Sequence, residues 1–81
     1  MRLDVRLFAR AKDAAGAERV TVELPAGARV ADLRAALADQ SPNLRPLVPC
    51  LLVAVGNDYA DDGALLSPQS EIACFPPVSG G

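Results

Sequence analysis

The residues with the clearest chemistry stand at the end of the chain, where Phe75-Pro76-Pro77-Val78-Ser79 runs into Gly80-Gly81. Two glycines lack Cβ atoms and enter slots too narrow for other residues. Pro76 and Pro77 fix φ near the extended value and cannot continue a helix, so the tail is expected to project from the body. Seven extended residues reach about 25 Å at most. The tip is an α-carboxyl with a pKa near ~3.5, ionised at neutral pH and a poor electrophile. Acyl chemistry at Gly81 therefore requires prior activation, for which adenylation is the usual route. A slack terminus is the alternative reading of the same glycines, although the apolar run before them is unlike a tail without a role.

Other catalytic groups are scarce. The chain has no histidine, the commonest base for Ser and Cys nucleophiles. Its two cysteines, Cys50 and Cys74, lack zinc-ligand spacing. Both are expected in strands, as buried inert thiols. The six glycines are scattered and form no phosphate-binding loop. Asp58, Asp61 and Asp62 match no known metal loop and read as a solvated turn. No metal or cofactor is expected on this chain. Any ATP would be used by a partner, and the chain is not expected to catalyse alone.

The 81 residues suffice for one small domain, and 51% are apolar. With two Phe, one Tyr and no Trp, the core must be mostly aliphatic. No apolar run reaches membrane-spanning length. The opening residues alternate like a strand and are unlike a signal peptide. Two cysteines without an export signal imply a reducing cytoplasm and free thiols. All eight basic residues lie between Arg2 and Arg45, leaving four acids and no base beyond. Nucleic-acid binding, which needs clustered Lys and Arg, is not expected. The acidic second half suits either docking on a basic partner surface or plain solvation.

Certain elements must position the tail. Residues 2–9 read as a strand with Leu3, Val5 and Leu7 on one face. Phe8 breaks the pattern by sitting on the polar face. A short helical turn follows to Gly16, then a strand over 19–24. Val30, Leu33 and Leu37 form the stripe of a helix over 30–40, with Arg29 where a capping residue is usual and Asp32 in its first turn. Strands follow over 50–55, briefly at 59–60, and over 71–75, where Pro76 ends pairing. One helix covers one face of such a sheet and leaves the other open to solvent or a partner. If Ile72 and Cys74 join the core, Phe75 points outward, as Phe8 does. If the first and last strands are neighbours, the two rings form an apolar patch at the tail's root, the mark of an interface. Alternatively, either ring packs under a loop.

The Phe75 to Gly81 ending, the opening Val5-Arg6-Leu7-Phe8-Ala9, the loop at Gly16 and the helix start Val30-Ala31-Asp32-Leu33 resemble the MoaD family, the ubiquitin-like sulfur carriers that form the small subunit of molybdopterin synthase. The resemblance covers essentially the whole chain. It departs at Ser67-Pro68-Gln69-Ser70, where relatives often carry an Asp-Gly-Asp turn. It implies an α+β β-grasp fold over residues 1–75 and a flexible Gly-Gly tail over 76–81. It also implies a cycle in which an E1-like adenylyltransferase activates Gly81 with ATP and a sulfur donor protein makes the thiocarboxylate. The tail then enters the large subunit, and the sulfur passes to a cyclic pyranopterin precursor. The implied assembly is a heterotetramer of two small and two large subunits. Phe8, Phe75, Pro76, Pro77, Val78, Ser79 and Gly80 become partner-binding residues. Rival readings are a carrier for thiamine or tRNA thiolation, a ubiquitin-like protein modifier, and a plain interaction domain. Thiamine carriers usually lack the Phe-Pro-Pro run, and the single lysine, Lys12, disfavours self-chain building.

Overall fold

A computed structural model describes residues 1–77; the predicted roles of Val78, Ser79, Gly80 and Gly81 lie outside the described residues. The elements run β1 (Arg2–Leu7), α1 (Ala9–Ala15), β2 (Arg19–Glu23), α2 (Val30–Gln40), a 3-10 turn (Val48–Cys50), β3 (Leu52–Val55), β4 (Asp58–Ala60) and β5 (Ile72–Phe75). The strands form one mixed sheet in the order β2-β1-β5-β3-β4. β1 and β5 are central and parallel, whereas every other pairing is antiparallel. A mixed sheet covered on one face by helices is the expected α+β β-grasp arrangement.

The core is aliphatic and follows the alternation. Leu3, Val5 and Leu7 of β1, Val22 of β2, Val53 of β3, and Ile72 and Cys74 of β5 are all buried. The stripe Val30, Leu33 and Leu37 of α2 packs on them, joined by Leu44, Val48 and Leu51 from the stretch after the helix. Residues with apolar side chains at strand period and helix period thus meet on one face. Among the described residues, no polar side chain is buried, and no helix is long and apolar enough to cross a membrane.

Local chemistry explains the boundaries. α1 ends at Gly16, whose φ of 74° is left-handed and whose N–H reaches the Lys12 carbonyl. α2 begins without a conventional cap, as its sequence predicts. The Asp32 carboxylate accepts the Arg29 N–H at 2.8 Å, and the Val30 and Ala31 N–H groups donate to the Ala64 and Asp62 carbonyls. The loop before β5 thereby satisfies the orphan donors of the helix. β3 and β4 are joined by the two-residue turn Gly56-Asn57, with Gly56 at φ 65°.

Two elements differ from the sequence reading: β1 stops at Leu7 and not at residue 9, and β3 starts late. Cys50 was expected in a buried strand, but it ends the 3-10 turn and is exposed. Pro49 sits inside that turn and lacks the N–H a ladder would need. β3 starts two residues later, at Leu52.

Candidate functional site

The tail leaves from the middle of the sheet. β5 lies between β1 and β3, with Leu7 opposite Cys74 on one side and Leu52 opposite Phe75 on the other. Alternation buries Ile72 and Cys74 and turns Ala73 and Phe75 to the uncovered face. Phe8 follows Leu7, and its N–H extends the parallel ladder by donating to the Cys74 carbonyl at 3.3 Å. The next residue, Ala9, takes a left-handed φ of 53°, which bends the chain away into α1.

These constraints set Phe8 beside Phe75. Their rings stack with centroids 4.7 Å apart and planes 10° from parallel. Both are half-buried, each covering part of the other on the uncovered face. Of the two arrangements the sequence left open, the structure has the outward patch. Tyr59 approaches Phe75 edge-on at 6.4 Å, and the Arg6 guanidinium lies 5.3 Å from the Phe8 ring centre. Pro76 and Pro77 follow outside any regular element, with Pro76 half-buried and Pro77 exposed.

The patch is wider than the two rings. Leu52 is 41% exposed and pairs with Phe75, while Tyr59 is 72% exposed and pairs with Ala54. Apolar side chains left this open on one sheet face are of the kind that interaction surfaces expose. Sequence reasoning missed Leu52 and Tyr59. The alternation that buries Val53 contained the signal, but using it required the pairing of β3 with β5.

Cys74 is turned to the covered face, away from this patch, and two of the acids serve the loop before β5. Cys74 is fully buried. Burial pushes its thiol up from 9.0 to about 11, against a smaller opposing pull from the Arg34 charge. The thiol is therefore protonated and unreactive at neutral pH. Asp62 pairs with Arg34 at 2.7 Å, and Asp61 accepts the Gly63 N–H at 3.0 Å. These two acids are occupied in organising the loop. A positive charge, that of Arg6, lies against the stacked rings.

The central strand β5 leads into Pro76 and Pro77 beside an apolar platform.

Known proteins resemble this chain in sequence and in fold. The sequence matches the ThiS family over residues 5–81. The molybdopterin synthase sulfur carrier subunit of Arabidopsis thaliana is 32% identical over 79 residues, covering 98% of this chain and 82% of that protein. The subunit of the same name from Chlamydomonas reinhardtii is 32% identical over 83 residues, covering 100% of both. Among solved structures, SAMP1 from Haloferax volcanii superposes with a TM-score of 0.89 at 30% identity, covering 100% of both chains. Matched along nearly its whole length, the chain belongs to the ThiS family, as a ubiquitin-like sulfur carrier of the MoaD type.

Proposed function

We propose that this protein is the sulfur-carrying subunit of a molybdopterin synthase. The Gly81 carboxylate attacks the α-phosphate of ATP in an E1-like partner, releasing pyrophosphate. Sulfide (HS⁻) released by a donor protein then attacks the acyl carbon, the C–O bond to AMP breaks, AMP leaves, and a thiocarboxylate remains. The arm from Phe75 to Gly80 inserts into the large subunit, where the sulfur passes to a cyclic pyranopterin precursor. The observation that carries this reading is the Phe8–Phe75 stack at the root of the arm, set in an open apolar face. It gives the large subunit a rigid platform to grip while the arm threads its pocket, with the orienting cost already met in the free carrier. The names of the two plant and algal relatives support the pathway.

A second reading, attachment to other proteins as a modifier, is favoured by the likeness to SAMP1. One experiment separates the two. The protein is incubated with a cognate E1-like enzyme, ATP and a sulfur source, and its intact mass is measured. The carrier reading expects one oxygen exchanged for sulfur at Gly81. Covalent adducts to lysines of other proteins, with no such exchange, would favour the modifier. A variant lacking Gly81, or extended by one residue, should show no exchange while keeping its fold.

A further inference from the structure

The uncovered face has a second feature beside the apolar patch. Met1 and Leu24 exchange backbone hydrogen bonds, and the Leu7 N–H donates to the Glu18 carbonyl. Odd-numbered β1 residues thus occupy the hydrogen-bonded pairs with β2. Arg2, Asp4 and Arg6 occupy the intervening pairs, where side chains approach more closely. Their partners are Glu23, Thr21 and Arg19.

Two of these three pairs are complementary. Arg2 meets Glu23 at 3.1 Å, and Thr21 Oγ1 donates to Asp4 at 2.8 Å. The third sets Arg6 against Arg19. Like charges directly opposite each other destabilise a sheet. Neither arginine has a carboxylate within 4 Å among the described residues. The nearest acids on this face, Asp4 and Glu71, stand one row away, and Asp4 is held by Thr21. The row containing the arginines runs across the sheet through Arg19, Arg6, Ala73, Ala54 and Tyr59. The arginine pair therefore adjoins the apolar patch, and Arg6 touches Phe8.

We propose that Arg6 and Arg19 form a cationic recognition site for carboxylates on the protein that accepts the tail. The proposal rests on the docking reading above and adds the chemistry of the facing surface. A partner seated on Phe8 and Phe75 would desolvate Arg6, and an unpaired buried charge is costly. Facing carboxylates would offset that cost and relieve the repulsion between the two guanidiniums. Attraction between such opposite charges speeds association and is screened by salt.

The test measures binding of the wild-type chain, the double variant Arg6→Gln with Arg19→Gln, and Phe75→Ala to the cognate large subunit across a salt series, with a melting temperature for each. The double variant should bind about tenfold more weakly at low ionic strength and show a shallower salt dependence. Its melting temperature should equal or exceed that of the wild type, because a repulsion has been removed. Wild-type affinity and salt slope in the double variant, alongside weakened Phe75→Ala, would overturn the proposal and leave the docking reading intact. An unaffected Phe75→Ala, or no complex with the wild type, would remove the docking reading and this proposal together. A melting temperature that falls in step with affinity would make the arginine pair structural.

Discussion

Phe8 and Phe75, from opposite ends of the chain, stack face to face at 4.7 Å because β1 and β5 are parallel neighbours. Their offset within the ladder is fixed by Leu7 standing opposite Cys74. The stack should therefore be measurable as a coupling. A double-mutant cycle of Phe8→Ala and Phe75→Ala, followed by urea unfolding, should give an interaction energy of about 0.5–1.5 kcal/mol. Additive losses would show that the rings contribute independently.

Ala9 holds Phe8 in place through a left-handed backbone that alanine adopts at a cost of about 1 kcal/mol. Ala9→Gly should keep or raise the melting temperature, since glycine takes this φ without a Cβ clash. Ala9→Val should lower stability by more than 1 kcal/mol, because β-branching is least compatible with this region. Equal stability of the two variants would rule out strain at this turn.

Cys74 gives the fold an alkaline limit. Its thiol is raised from 9.0 to about 11 by burial, so the native state holds a proton that the unfolded chain releases first. Its contribution is fully present below pH 9 and is lost as pH rises through 9 to 11. Over that window the loss approaches about 2–3 kcal/mol. Urea unfolding at stepped pH should show the decline, and Cys74→Val should flatten it. Replacing both Cys50 and Cys74 by Ala should leave sulfur transfer intact in the mass assay.

Arg34 clamps α2 to two loops. Its Nε donates to Asp62 and its Nη1 donates to the Val48 carbonyl, both at 2.7 Å. The arginine side chain is 19% exposed, whereas that of Asp62 is 61% exposed. The Asp62 end is screened, so Asp62→Asn should cost less than about 1 kcal/mol. Arg34→Met keeps the apolar stem but strands the Val48 carbonyl, and should cost about 1–3 kcal/mol. Thermal melts of the two variants would check the order.

Much of this was legible in the residues themselves. The period-2 runs around Val5, Val22 and Ile72 and the Val30, Leu33, Leu37 stripe each identify a core face without reference to anything distant. Phe8 and Phe75 stood out because each falls on the wrong side of an alternating pattern. What local patterns cannot show is which strands meet. Leu52, Tyr59 and Arg19 acquire meaning only once β3, β4 and β2 have taken their places in the sheet. Arg34 gave no signal, because an arginine on a helix is normally solvated, and its partners come from loops distant in sequence. Cys50 was misplaced because an apolar run reads as strand until the effect of Pro49 on backbone pairing is counted.

The central position of β5 also decides how the protein bears load. A pull on Pro76 along the strand axis is resisted on both sides, by the ladder to β1 and the ladder to β3. The bonds to β3 run across the pulling direction and those to β1 are slanted to it, so tension shears them together instead of unzipping them one by one. An arm leaving from an edge strand such as β4 would peel its root away under the same tension. Here tension on Pro76 has to break two ladders before β5 leaves the body.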